Sequence, residues 1–303
     1  MIEVVRPGLL DLVVDGAGRR GLRFGLSEGG PADAAALRAA NRAAGNPPTA
    51  AGLELLAQGP VLAFADGAVL CVAGGALTPL LDGQPMPTGE AFAAPAGSVL
   101  TFQRGRPGLR AYLAVRGGIA TDVVLGSRSA DLPAALPGLA GRALRAGDRL
   151  AVGAPGASGE PLAPALADPS PPPALRVLPG PQWRLAPPAV RRHLVRSAFR
   201  VTPAANRVGI VLEAERPGPD WRMPQMPSEG TLAGSVQWTP AGRPVLLGVD
   251  RGSIGGYPKP LQVIAADLWA LGQLRPGDAV RFVRVTRRDA WRALAALAAG
   301  ERP

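Results

Sequence analysis

The sequence predicts a mainly β protein, a barrel or a sandwich, built as two similar lobes with few helices. Three observations predict it. Apolar runs are short, rich in Val and Leu, and bounded by Gly or Pro. Turn dipeptides separate them: Asp66-Gly67, Asp82-Gly83, Gly147-Asp148 and Gly277-Asp278. A Gly-bearing corner followed by an outgoing strand recurs at Pro95–Phe102, Leu144–Leu150 and Leu274–Phe282.

In chain order, the first residues from Met1 to Pro7 read as a strand, and Leu9–Val14 is an apolar run. Ala32–Ala44 is Ala-rich and helical, stopped by Gly45-Asn46-Pro47-Pro48. Strands follow at Val61–Phe64, Ala68–Val72, Val99–Phe102 and Ala111–Val115. Gly153–Pro173 is rich in Pro and Gly, and such chain is extended and does not pack a core. Residues 1–153 are therefore expected to form one lobe, 154–173 a linker and 174–303 a second lobe. The second lobe carries strands at Val208–Leu212, Val245–Val249, Leu261–Ala265 and Val280–Val285. Asp267–Leu274 is a short helix candidate. Asp289–Ala299 is the clearest helix, with Asp289 as its N-cap and Gly300 just past its end. In each half a β strand precedes an L-R-x-G-D corner, the pattern of a duplication.

Composition narrows the chemistry. With 303 residues and 47% apolar content the chain can bury a core. A single cysteine, Cys71, excludes disulfide frameworks and multi-Cys metal sites, and reads as a core residue of a buried strand. A single histidine, His193, excludes two-His metal sites, and reads as a surface residue on a short helix. The net charge is +10, but the arginines are scattered without a basic run, as a compositional bias toward Arg, Ala, Gly and Pro would produce; no nucleic-acid role is expected. No apolar run reaches the ~18 residues a membrane span needs, and no signal peptide is visible, so a cytoplasmic protein without a membrane role is expected. Gly16–Gly21 matches G-x-G-x-x-G by letters, but no helix-forming run follows, so it is not a dinucleotide fingerprint. Lys259, the sole lysine, stands between two prolines. It has the setting neither of a phosphate loop nor of a biotin-attachment site.

The informative polar residues sit in irregular, Gly-rich surroundings. Arg128, Arg207 and Arg251 offer guanidinium forks that suit a carboxylate or phosphate. Gly255 and Gly256 let backbone approach a ligand closely. Gln237 and Tyr257 can hydrogen-bond an amide or its oxyanion, and Asp250 can orient Arg251. The alternative is that these groups only order their own loops.

These segments together resemble the allophanate hydrolase subunit 2 family, also called the biotin-dependent carboxyltransferase family. The resemblance rests on Gly18-Arg19-Arg20-Gly21, Gly30-Pro31-Ala32-Asp33, Leu53-Glu54, Gly126–Asp131, Leu144–Asp148, Val177–Gln182, Asn206–Gly209, Gly234–Gln237, Asp250-Arg251, Gly255–Pro258 and Gln273–Asp278, in order over nearly the whole chain. It implies two cyclophilin-like β-barrel lobes and a hetero-oligomer with a subunit 1-type, kinase-inhibitor-like partner. The leading functional expectation is a 5-oxoprolinase-type complex that also holds a LamB/YcsF-type protein and opens 5-oxoproline to glutamate with ATP. The alternatives are a carboxyltransferase acting on urea or another amide, with biotin on a separate chain, and a non-catalytic regulator. No covalently bound cofactor or metal is expected, and ATP enters only at the level of the complex. Within the resemblance, Gln237, Asp250 and Tyr257 would be catalytic, and Arg128, Arg207, Arg251, Gly255 and Gly256 would bind substrate. The chain departs from the family pattern at Val14, Leu22, Val211, Gly252 and Ser253, where polar groups or an aromatic are usual; several of these positions are expected to face a shared cleft.

Overall fold

The computed structural model describes residues 1–155, 170–172, 174–221 and 226–298. Much of the expected linker at 154–173, and Gly300, lie outside the described residues. The chain divides into two compact units, Met1–Gly21 with Glu28–Ser170, and Leu22–Ser27 with Pro171–Pro303.

The first unit holds eleven strands among its described residues: β1 (Ile2–Arg6), β2 (Asp11–Val14), β3 (Gly52–Leu56), β4 (Val61–Phe64), β5 (Ala68–Gly74), β6 (Leu77–Leu81), β7 (Gln84–Pro85), β8 (Ala91–Ala94), β9 (Val99–Arg104), β10 (Arg110–Val115) and β11 (Arg149–Leu150). They form two sheets, in the orders β11-β1-β4-β9-β6-β7 and β2-β3-β10-β5-β8. One core joins them, with Leu53, Leu55, Leu62, Leu70, Leu100 and Leu113 each fully buried. Helix α1 (Ala34–Ala43) is capped by the Asp33 carboxylate, which accepts from Ala36 N. It ends as the Gly45-Asn46 signal requires, with Gly45 at φ +76. Cys71 is buried on β5, among the alanines facing α1.

The second unit is a closed barrel of seven strands, in the order β12-β19-β16-β17-β14-β13-β20. These are β12 (Ala174–Pro179), β13 (Phe199–Ala205), β14 (Gly209–Ala214), β16 (Ser235–Trp238), β17 (Pro244–Leu247), β19 (Leu261–Val263) and β20 (Ala279–Arg284). A separate two-stranded ribbon joins β15 (Glu229–Gly230) to β18 (Ile254–Gly255). Closure comes from parallel pairing of β12 with β20, Ala174 opposite Arg281 and Val177 opposite Arg284. Phe199, Phe282, Val236 and Trp238 fill the interior.

The helices carry two corrections. Helix α2 (Pro188–Arg196) bears His193, which is half-buried and turned inward rather than set on the surface. Its ring meets Phe199 and Trp238 edge-on, at centroid distances of 5.5 and 6.2 Å, and its Nδ1 meets Ser197 Oγ at 3.0 Å. Burial holds its pKa below the usual value. Helix α3 (Leu268–Leu271) is a single turn led by a 3-10 turn at Ala265–Asp267. Helix α4 (Arg287–Ala298) begins two residues before Asp289. Thr286 caps it instead: Asp289 N donates to Thr286 Oγ1, while Thr286 N and Oγ1 donate to Asp289 Oδ2.

The recurring corner is built the same way in both units. Gly147 N donates to Val4 O and Val4 N to Asp148 O; Gly277 N donates to Val201 O and Val201 N to Asp278 O. In each, the Asp carboxylate accepts from the backbone of the preceding Arg145 or Arg275. Both glycines sit at positive φ, +85 and +93, where a Cβ would be strained. The first such corner aligns β11 with β1 and the second aligns β20 with β13.

Candidate functional site

Of the eight residues the sequence singled out, seven lie in the second unit and Arg128 lies in the first. Gln237 lies on β16, Arg207 in the turn between β13 and β14, and the other five between β17 and β19. Alternation along β16 sends Val236 and Trp238 into the barrel and Ser235 and Gln237 to its other face. The Gly255–Pro258 loop is fastened beside Gln237, because Trp238 N donates to Pro258 O over 2.8 Å. A Cβ on Gly255 would lie 3.0 Å from Gln237 Nε2, so this position keeps the ribbon close to the amide. Gly256 has similarly tight surroundings, with Met226 O 3.3 Å from an added Cβ. Tyr257, at the end of this loop, is exposed at 47%.

Asp250 and Arg207 form a buried two-point pair. Arg207 Nε donates to Asp250 Oδ2 over 2.6 Å and Nη2 donates to Oδ1 over 2.9 Å. Arg207 stands in the turn between β13 and β14, and Asp250 in the turn after β17; Asp250 N also donates to Arg207 O. Asp250 therefore grips Arg207 directly, a pairing that separate sequence motifs conceal. Arg251 is buried, and its Nη2 donates to Thr231 O over 3.3 Å. Thr231 is tied in turn to Ser253 O and Gly252 O. The Asp250-Arg251 turn and the β15–β18 ribbon are thus locked together.

Three residues escape sequence reasoning as a group: Gln182, Glu229 and Lys259. Lys259 Nζ stands 2.8 Å from Glu229 Oε1, and Gln182 Nε2 donates to the same oxygen over 2.7 Å. Gln182 Oε1 accepts from Lys259 N. The hydrogen bonds from Lys259 and Gln182 hold the Glu229 carboxyl below its usual pKa. A cleft of about 550 Å³ adjoins this corner, lined by Lys259, Gly230, Ser235, Gln262, Arg284 and Arg287 among others. Distant segments supply the corner, so spacing does not reveal it. The one available signal is the lone lysine in a chain of 33 basic residues.

In the first unit, Arg128 belongs to a network of its own. Its N–H donates to Asp15 Oδ2 over 2.6 Å, while the hydroxyls of Ser127 and Ser129 donate to Asp15 Oδ1. Arg19, fully buried, donates to Asp131 Oδ2 and to Ser129 O. A second network joins Glu54 to Tyr112 and Arg110. Val14, one of the departures, is fully buried beside Leu12 and Leu37 and faces no cleft, contrary to expectation. Leu22 is exposed. Among the described residues, no three His, Cys, Asp or Glu side chains converge as a metal site would need, and no helix is long and apolar enough to cross a membrane.

Known proteins share this architecture. The family described as carboxyltransferase domain, subdomain A and B, matches residues 24–284. The 5-oxoprolinase C subunit of Escherichia coli (strain K12) is 33% identical, over 97% of this chain and 94% of its own. The crystal structure of TTHA0988 is 42% identical, with a TM-score of 0.81 over 93% of this chain and 56% of that one. The K. lactis urea amidolyase structure is 27% identical, with a TM-score of 0.85 over 100% of this chain and 20% of that one. The chain thus spans nearly all of the curated bacterial relative, about half of TTHA0988 and a fifth of the amidolyase.

Proposed function

The chain belongs to the carboxyltransferase domain family, subdomains A and B, and on that footing we propose that it is the C subunit of a 5-oxoprolinase-type complex. Such a complex would convert 5-oxoproline to glutamate with ATP, alongside a subunit 1-type partner and a LamB/YcsF-type partner. The observation that carries this reading is the end-to-end match to the bacterial C subunit, against a match to only a fifth of the amidolyase.

The chemistry of the site suits the substrate. 5-Oxoproline presents a lactam amide and a carboxylate. Gln237 and Tyr257 offer hydrogen-bond partners for the amide and for an oxyanion formed on it. Arg251 supplies positive charge for the carboxylate from the loop that Thr231 fastens. Asp250 and Arg207 act on that loop as positioning residues through their mutual pair. Arg128, in the first unit, is a separate anion-binding candidate with its own network. Leu232, Ile254 and Tyr257 leave large apolar surfaces exposed around the loops of the second unit, which supports a partner docking there. ATP would enter through the complex, since the sequence has no G-x-x-x-x-G-K-[ST] phosphate loop.

A second reading is carboxyl transfer to urea or another amide, favoured by the full coverage of this chain on the urea amidolyase structure. Biotin would then arrive on another chain, because Lys259, 3% exposed and paired with Glu229, is not presented for attachment.

The test is co-expression with the two expected partners and measurement of ATP-dependent glutamate formation from 5-oxoproline. Activity that disappears without this chain, and falls with Arg251→Ala or Tyr257→Phe, is the expected result. An intact complex that leaves 5-oxoproline unchanged, yet carboxylates urea when a biotin carboxylase and biotinyl protein are added, would overturn it in favour of carboxyl transfer.

A further inference from the structure

We propose that the cleft beside Lys259 binds a small carboxylate, and that the Glu229 carboxylate competes with that ligand for the Lys259 ammonium. The inference goes beyond the reaction assigned above: it concerns this chain by itself and stands whichever amide the complex handles.

Four observations carry it. First, the ion pair is lopsided. The Lys259 side chain is 3% exposed while that of Glu229 is 40% exposed. Taking an ammonium out of water is costly, and a half-solvated carboxylate offsets that cost less than a desolvated one would. Second, Glu229 is lightly held. It sits on a two-residue strand, and its carboxylate meets Gln182 and Lys259 through one oxygen, Oε1. A ligand carboxylate could take over both donors without breaking the barrel. Third, the cleft is electropositive. Lys259, Arg284 and Arg287 line it and no Asp or Glu does. Arg284 is steadied over the Trp183 ring, its guanidinium carbon 4.8 Å from the centroid. Cations gathered along a cleft raise the local concentration of anions. Its volume of about 550 Å³ is that of a small-molecule site.

Fourth, the residue type is informative. All basic positions but this one are arginine. An ammonium is a compact point donor, whereas a guanidinium fork needs a flat, wider seat. The tight corner between Gln182 and the β15 ribbon admits the former. The hydroxyl of Ser235 and the amide of Gln262, bonded to each other across 2.8 Å, supply a neutral polar wall to the same cleft.

The test uses the full chain and three probes read by calorimetry or ligand-observed NMR. Cyclopentanecarboxylate carries the anion without an amide, 2-pyrrolidinone carries the amide without the anion, and inorganic phosphate is the competing oxyanion. Cyclopentanecarboxylate is expected to bind and 2-pyrrolidinone not. Lys259→Met should weaken carboxylate binding about tenfold or more. Glu229→Gln should strengthen it by a similar factor, a gain that a purely structural ion pair does not predict. Should Lys259→Met fail to fold, the Glu229→Gln result decides. Unchanged or weaker carboxylate binding in Glu229→Gln, or equal binding in a folded Lys259→Met, overturns the proposal. Phosphate that binds more tightly than the carboxylate and displaces it also overturns it, making the cleft a phosphate site. Because no partner and no turnover is involved, failure here leaves the 5-oxoprolinase reading untouched.

Discussion

Replacing Asp250 by Ala removes the carboxylate that both Nε and Nη2 of Arg207 meet, with side chains only 5% and 4% exposed. Breaking one side of a pair so buried destabilises by about 3–5 kcal/mol, far more than the ~1 kcal/mol of a surface pair. With a urea slope of about 1–3 kcal/mol/M, the midpoint should fall by about 1 M or more. The distribution of tryptophan makes the assay specific. All five, Trp183, Trp221, Trp238, Trp269 and Trp291, lie in the second unit, so indole fluorescence follows that unit and is silent on the first. Asp250→Ala should shift the fluorescence transition and leave the first unit's transition in place, with little dependence on salt because the pair is dry. Replacing both partners, Arg207→Met with Asp250→Leu, should recover most of the loss. A single substitution costing under about 1 kcal/mol would refute the argument, since it would mean the pair is solvated in solution.

Other expectations follow from particular contacts. The depressed pKa of Glu229 means that its bond to Lys259 contributes fully above the unfolded value of 4.5 and is lost as pH falls through the lower folded value. Acid titration should therefore loosen the β15–β18 ribbon, seen in the Gly230 and Gly255 amide resonances, and Glu229→Gln should abolish that transition. Cys71, buried and with its thiol pushed up to about 12, should react with a disulfide reagent only after unfolding. A Cβ at Gly248 would collide with Arg207 O, so Gly248→Ala should lower both stability, by about 2 kcal/mol or more, and activity of the assembled complex. Tyr257→Phe, at an exposed position, should leave the melting temperature unchanged while reducing turnover, measured side by side.

Much of the fold is legible in the sequence because its signals are local. Runs such as Val61–Phe64 and Ala111–Val115 are strands at almost the bounds their patterning gives, since Gly and Pro stand close to both ends of each run. The L-R-x-G-D corners are recognisable for the same reason. What stays hidden depends on long-range closure. Asp289 resembles a helix cap, yet Thr286 fills that place and Asp289 completes the reciprocal bond. His193 reads as exposed because its helix is rich in arginine, whereas Phe199 and Trp238 draw the ring inward. At the site, Gln237, Asp250, Arg251 and the two glycines stand out because irregular Gly-rich chain around polar groups is itself a signal. The Gln182–Glu229–Lys259 corner does not, because three ordinary residues on separate segments acquire meaning only when β12, β15 and β19 place their neighbouring loops side by side.

The parallel seam between β12 and β20 gives the molecule an order of construction in time. The opening strand of the second unit can pair with β19 first but gains its other neighbour only from the last strand, so the barrel closes only once β20 has left the ribosome. The first unit's sheets need nothing beyond β11 and can be finished while the second unit is still being synthesised. During that interval β12 and β13, the two strands that pair with β20, each keep one unpaired edge, and open edges invite aggregation. A partner translated alongside would meet this unit at the one stage when those edges are still free.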